Sequence, residues 1–532
     1  MTALLFILFV IVVLVWLANR IRVAYPIVLV LGGMLIGFIP GVPVATMPPE
    51  LVLVAFLPPL LYWESVTAPT SEFRASAWWI FQLAFGLVII TMLAVALVAH
   101  AIVPAIGWGV ALVLGAIVSS TDEVAFAPVA ERLRVPRHVV ATIEGESLVN
   151  DATSLILYAV ALTAVVSGTF SLRHAIGELA LSVVGAIAIG IAAGSLAVFA
   201  WHFVKDASLQ SVISVATPFL AYLPAQHFNV SGVLAVVTTG IFVSRYTPAV
   251  LNPLARERVG GFWVTVVFLL NAIIFVLVGI QFHSIVASLS RFSLPALLWY
   301  GVAVSLAVII VRLIWVFLQG LLPVTNEPEH VEGKADWSHV AVLAWSGMRG
   351  GVSLAAALAI PFATSAGPLQ DRNLIIFITF CVLLATLVGQ GGTLPLLIRW
   401  MRVKDDGADA QEERVALSLT ARAALKRLHA LAHERRIPEK LLDNLRLRFG
   451  TRWREFRSLD TGADEVARTT ALYRDIQSEL IQAQRKELIR LRDAGKIDNT
   501  VMRRIQRLLD LETAELELLG SAGHADIEVP EE

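Results

Sequence analysis

Cysteine is almost absent from this sequence: Cys381 stands alone among 532 residues. A disulfide within the chain and a thiolate metal site are both excluded. There is no HExxH pair for zinc and no Walker loop to cradle phosphate, which argues against metallohydrolase chemistry and ATP-driven pumping. Charge is sparse, at 16% of residues with a formal net charge of -1, and no basic block offers a surface to nucleic acid. What fills the chain instead is apolar, 57% of all residues. A sequence this long and this hydrophobic reads as an all-helical polytopic membrane protein.

The few charges are unevenly spread. About 34 of the 83 acidic and basic side chains lie in residues 1–400 and about 49 in residues 401–532, so a membrane domain over 1–400 is expected to precede a hydrophilic helical domain over 401–532. Hydropathy and length place about thirteen spans, near 2–18, 25–44, 50–64, 77–100, 108–130, 138–166, 174–202, 208–225, 229–245, 260–281, 293–322, 338–361 and 373–399. The first run, LLFILFVIVVLVWLA, has no basic residue before it and no small-residue cleavage site after it. It is expected to be a retained span and not a secretory signal. With the N-terminus outside, the inner loops gather about eleven basic residues, among them Arg20, Arg132, Arg245 and Lys334, against Arg173, Arg291 and Arg372 outside. That bias sets the C-terminal domain in the cytoplasm.

Eight ionisable residues fall at membrane depth: Glu64, Asp122, Glu123, Glu144, Glu146, Asp151, Arg312 and Arg349. Each charge at the bilayer centre costs on the order of 2.5 to 3.5 kcal/mol on the lenient insertion scale, so such groups face a partner or a water-filled path, or tie helices together as ion pairs. In the sixth span, Glu144, Ser147, Asp151 and Ser154 share one stripe, while Glu146 and Asn150 lie on a neighbouring face. The first face, with oxygen ligands and a carboxylate near mid-span, suits a small hard cation. The second offers Glu146, which needs a buried counter-charge. Only Arg312 and Arg349 are deep enough to supply it. Arg312 sits in an unbroken apolar helix, as a fixed structural pair requires, whereas Arg349 is flanked by Gly347, Gly350 and Gly351, which weaken the helix by roughly 1 kcal/mol each relative to alanine.

An interruption is therefore expected in the twelfth span, and another in the fifth at IVSSTDEVAFAP, where Ser119, Ser120, Thr121 and Asp122 compete for backbone hydrogen bonds. Opposed broken helices at the midplane bind ions in secondary transporters. Asp122 would neutralise helix N-termini there, and Arg349 would offset exposed carbonyls.

Together STDEVAFAPV, EGESLVNDATSLILY, Arg312 in its apolar helix, GMRGGVSLAAAL and FLPPLLYWES resemble the sodium/proton exchanger branch of the monovalent cation:proton antiporters, above all bacterial members with the Asn-Asp motif. The likeness covers most of residues 1–400 in order. It implies thirteen helices with two inverted six-helix repeats around the seventh, broken fifth and twelfth helices that cross, a core domain moving against a dimerisation domain, and a homodimer. It makes Asp151 the shared sodium and proton carboxylate with Asn150 its partner, gives Thr121, Asp122 and Ser147 as direct or water-mediated ligands and Glu64 as a distant one, and pairs Glu146 with Arg312. Two departures stand out. Glu123 occupies a position where many relatives have proline, and Glu64 follows an extra aromatic, Trp63.

The expected function is exchange of Na+, or of Li+ or K+, for H+ across the cell membrane, in the service of pH and sodium homeostasis and without a cofactor. A dehydrated carboxylate is held by a proton or a cation but not by both, and competition at Asp151 is the coupling. Asn150 replaces a second titrating group, so one proton per sodium ion is expected. A K+/H+ antiporter of the same fold is the alternative. A channel is a further rival, yet no acidic ring or filter-like stretch is seen. For an intramembrane aspartyl protease, Asp122 and Asp151 lack the Gly-x-Gly-Asp context. In the tail, LYRDIQSELIQAQRKELIRLRDAG and DNTVMRRIQRLLDLETAELELL carry apolar positions at helical spacing, as in a small bundle that supports the dimer or senses pH or a partner. His429, His433 and His524 are too scattered for a proton sensor, and the terminal DIEVPEE is expected to be disordered.

Overall fold

A computed structural model describes the chain apart from residues 1, 22, 40–48, 70–72, 74–75, 105, 168–171, 322–329, 332–333, 336, 365–366, 370, 404–407, 435–437, 448–462, 495, 497–500, 503–504, 507 and 515–532. His524 and DIEVPEE lie outside the described residues, as do the side chains of Arg173 and Lys334. The chain forms two compact units, Met1–Lys404 and Asp405–Glu532. Apart from two antiparallel pairings, His330–Val331 with Lys334–Ala335 and Ala363–Thr364 with Gly367–Pro368, the regular structure among the described residues is helical.

The first unit runs through α1 (Thr2–Ile21), α2 (Tyr25–Gly37), α3 (Pro49–Thr67), α4 (Ala77–Ile102), α5 (Trp108–Ser119), α6 (Ala127–Leu133), α7 (Arg137–Ser167) and α8 (Leu172–Phe203). It continues with α9 (Ala207–His227), α10 (Gly232–Val250), α11 (Pro253–Ser288), α12 (Leu294–Gly320), α13 (Trp337–Trp345), α14 (Gly351–Leu358) and α15 (Arg372–Trp400). Among the described residues seven helices are long and apolar enough to cross a membrane, and four shorter apolar helices accompany them. Large apolar side chains such as Phe9, Trp16, Leu181, Phe199 and Ile314 point outward, as they do where the surrounding solvent is hydrocarbon.

Helix starts follow local chemistry. Asp206 accepts hydrogen bonds from the backbone N–H of Ser208 and Leu209, both at 2.9 Å, Ser231 caps α10 through Leu234, and Asn252 caps α11 through Ala255, just ahead of Pro253. These caps separate α8 to α11 into distinct helices although their apolar runs nearly touch. At Asn229 the backbone turns between α9 and α10 with a φ of 54°, a left-handed conformation that asparagine tolerates well.

Two long helices contain π-helical turns, Gln82–Leu87 in α4 and Ala385–Gly391 in α15. The second wraps around the gap between α13 and α14. There Thr386 Oγ1 accepts the backbone N–H of Arg349 at 3.1 Å, Gly391 leaves space for the Met348 sulfur, and Trp345 Nε1 donates to Thr393 Oγ1 at 2.9 Å. Single π-turns inside α-helices are frequent at functional sites.

In the second unit, α16 (Ala408–Glu434) and α17 (Ala463–Asp493) are the long helices. Ile481, Leu488 and Leu509 form a small apolar cluster beside an ion pair of Arg485 with Asp510 at 2.8 Å. That pairing ties α17 to the helical stretch around Leu509.

Candidate functional site

The fifth span opens after Ser119. Ser120 has extended backbone, with φ -67° and ψ 138°, and helical structure resumes only at Ala127. The twelfth span opens between Trp345 and Gly351, with Gly350 at φ -143° and ψ -147°. Glu123, standing in place of proline, has not closed the gap; its carbonyl instead accepts the N–H groups of Phe126 and Ala127 and starts the next helical turn. Each gap leaves backbone groups without helical partners.

The two gaps satisfy one another. The Arg349 guanidinium donates from Nη1 to the Ser119 carbonyl at 3.0 Å, at the negative end of α5. In return the Asp122 carboxylate accepts the Gly351 N–H at 2.8 Å, at the positive end of α14, and also the Val124 N–H at 2.7 Å. The Asp122 N–H donates to the Met348 carbonyl at 2.8 Å. Gly350 is required for this contact, since a Cβ there would lie 1.6 Å from Asp122 Oδ2. Gly347 is equally constrained, because a Cβ would lie 2.2 Å from Arg312 Cδ. The glycines of GMRGG thus permit close approach as much as they weaken the helix.

Against this crossing lies α7. Asp151, 2% exposed, accepts a hydrogen bond from the Ser120 hydroxyl. Asn150 donates from Nδ2 to Thr121 Oγ1 at 2.6 Å, and Thr121 donates to Glu146 Oε1 at 3.1 Å. Ser147 donates to the Thr121 carbonyl at 3.1 Å. Arg312 reaches in from α12, donating from Nη1 to Glu146 Oε1, from Nη2 to Glu146 Oε2 at 2.8 Å and to the Leu343 carbonyl at 2.9 Å. Successive residues of the opened segment therefore face different partners: Ser119 meets Arg349, Ser120 meets Asp151, Thr121 meets α7, and Asp122 meets α14. A further tie joins α7 to α13, where His138 Nε2 and His339 Nδ1 lie 3.1 Å apart.

Several expected ligands are therefore engaged in holding the crossing. The Thr121 hydroxyl is shared between Asn150 and Glu146, the Asp122 carboxylate caps α14, and Ser154 Oγ donates to the Asp151 carbonyl at 3.1 Å. Glu64 on α3 is half-buried and feels the charges of Asp151, Glu123 and Asp122 through space. Glu123 in turn feels the charges of Glu144, Asp122 and Asp151. Ser120, read from the sequence only as a helix opener, is the hydroxyl on the Asp151 carboxylate. Four polar groups here have atoms without a hydrogen-bond partner among the described residues: Asn150 Oδ1, Glu123 Oε2, Arg312 Nε, and Arg349 Nε and Nη2. What is assembled is a desolvated carboxylate among neutral oxygens and compensated helix ends, an arrangement suited to a proton or a hard monovalent cation.

Residues 5–400 match the family model described as sodium/hydrogen exchanger, transmembrane. An uncharacterized Na(+)/H(+) exchanger of Mycobacterium tuberculosis is 35% identical over 512 residues, covering 94% of this chain and 93% of that one. A sodium, potassium, lithium and rubidium/H(+) antiporter of Bacillus pumilus is 31% identical over 385 residues, which is 70% of this chain and 57% of that one. The solved sodium proton antiporter MjNhaP1 of Methanocaldococcus jannaschii shares the fold with a TM-score of 0.58 at 18% identity, covering 76% of this chain and 99% of that one. The chain belongs to the sodium/hydrogen exchanger family of monovalent cation:proton antiporters, multi-pass membrane transporters that exchange a cation for a proton.

Proposed function

We propose that this chain exchanges one Na+ for one H+, with Asp151 as the carboxylate that both ions share. The observation that carries the reading is the burial of Asp151 at the crossing of two interrupted helices, beside the neutral Asn150. A bare charge in that position is costly. A proton or a sodium ion covers it, and only the covered form passes between inward-facing and outward-facing arrangements. Uncoupled leak is suppressed because the bare form does not cross.

In this reading Thr121 and Ser147 offer oxygen lone pairs to the ion, Asp122 acts through water as well as through its cap on α14, and Glu64 contributes its charge from α3. Glu146 and Arg312 hold the crossing in shape, and Arg349 offsets the carbonyl end of α5. Asn150 adds no titrating proton, so each cycle moves no net charge. Thirteen spans in two inverted repeats, a homodimer, an outer N-terminus and a cytoplasmic C-terminal domain in the cell membrane complete the proposal. The physiological role is pH and sodium homeostasis, driven by the proton gradient.

A second reading, K+/H+ exchange at the same site, is favoured by the breadth of cations in the name of the Bacillus relative. Flux across a panel of alkali cations separates the two. The central test uses proteoliposomes holding a pH-sensitive dye. Asp151→Ala is expected to abolish the sodium-dependent pH change, and the parent flux is expected to ignore an imposed membrane potential. An Asp151→Ala protein that dissipates the gradient as well as the parent would overturn the assignment.

A further inference from the structure

We propose that Ser120 is the specificity-determining residue of the transport site, a hydroxyl held in place by Asp151 that favours smaller, more strongly hydrated alkali cations over larger ones. The inference rests on the reading of Asp151 as the ion-carrying carboxylate. Ser120 is the first residue beyond α5, 2% exposed, and its extended backbone turns the side chain out of the helix and onto α7. Its one proton is donated to Asp151 Oδ1. Among the described residues its oxygen accepts no hydrogen bond, so both lone pairs remain beside the carboxylate.

The other hydroxyls nearby are differently engaged. Ser119 Oγ donates to the Ala116 carbonyl at 2.7 Å, Thr121 Oγ1 serves Glu146 and Asn150, Ser147 Oγ donates to the Thr121 carbonyl, and Ser154 Oγ donates to the Asp151 carbonyl. Ser120 alone among these donates to the carboxylate of Asp151. A cation lodged against that carboxylate meets a second oxygen already oriented, with no rotor left to freeze. Small cations lose more hydration on entry and gain most from a short additional oxygen, whereas larger ones depend on it less. The donated bond is also stronger to the charged carboxylate than to the protonated one, which biases the competition toward the cation.

The test compares Ser120→Ala, Ser120→Thr and Ser120→Cys with the parent in proteoliposomes, across Li+, Na+, K+ and Rb+. Loss of a hydrogen bond to a charged group is expected to raise the apparent KM of Ser120→Ala for Li+ and Na+ about 10-fold, with less than about 2-fold for K+ and little change in Vmax. Half-maximal sodium-driven activity is expected at higher pH, since the proton competes better once the donor is gone. Ser120→Thr restores the parent values. Ser120→Cys keeps the volume but replaces a hard oxygen with a soft sulfur, so it should show the alanine pattern and carries the test if Ser120→Ala fails to fold. Parent-like cation ranking in both the alanine and cysteine variants, or a threonine variant as impaired as alanine, overturns the inference. An active Asp151→Ala removes the underlying site reading instead, which keeps the two failures distinguishable.

Discussion

Arg312 grips Glu146 through both terminal nitrogens, and the two side chains are each only 1% exposed. Glu146 lies on α7, the helix that also holds Asp151, the proposed ion carboxylate, and it shares the Thr121 hydroxyl with Asn150. Breaking a buried ion pair by removing one charge leaves the other uncompensated, at about 3 to 5 kcal/mol.

Glu146→Gln is therefore expected to lower the thermal unfolding temperature clearly while changing the apparent sodium KM by less than about 3-fold. Thermal unfolding in detergent, measured beside proteoliposome kinetics, checks this. A pure affinity change with unaltered unfolding would contradict a structural role.

Close approach at the crossing gives a second prediction. Gly350→Ala places a methyl group where Asp122 Oδ2 now lies, so the α14 cap must break or the gap must widen. Loss of an aspartate cap costs about 1 kcal/mol, with strain added. Transport is expected to fall at least 10-fold, with a lower unfolding temperature. Gly260 in α11 has open space around its missing Cβ, so Gly260→Ala is expected to leave transport intact and to stabilise its helix by up to about 1 kcal/mol.

In the second unit, Arg490 donates to Glu487 from Nε at 2.7 Å and from Nη2 at 2.6 Å, holding that carboxyl below its ordinary range. A lowered carboxyl contributes stability above its ordinary pKa and loses it as pH falls through the lowered value. Both side chains are exposed, so the effect is small and salt screens it. Amide exchange over residues 484–493 is expected to differ slightly between the parent and Glu487→Gln at neutral pH, and to coincide in acid or in high salt.

Much of the site can be read directly from the sequence, and for one reason. Asp122, Glu146, Asp151, Arg312 and Arg349 stand in apolar surroundings where each is costly, so they are conspicuous without any structure. The interruptions are legible too, because serine, threonine and glycine runs announce lost helical bonding. The pairing of Glu146 with Arg312 and not with Arg349 follows from Arg312 lying in continuous helix. The special position of Ser120 is hidden. In a run of Ser119, Ser120 and Thr121, all three look alike, and which one meets Asp151 depends on the backbone angles at the end of α5. The π-turn at Ala385–Gly391 is hidden as well, and its contacts are with Met348 and Arg349, outside its own helix. The requirement for Gly350 likewise comes from a carboxylate more than two hundred residues away.

The reciprocal bonds between Arg349 and Ser119, and between Asp122 and Gly351, run in opposite directions between the same two helices. Neither half can slide without stripping a charged partner from the other. In the proposed exchange cycle the crossing is therefore expected to travel as a single cassette, with the hinge or glide that opens the site to one side and then the other at the cassette's outer seams.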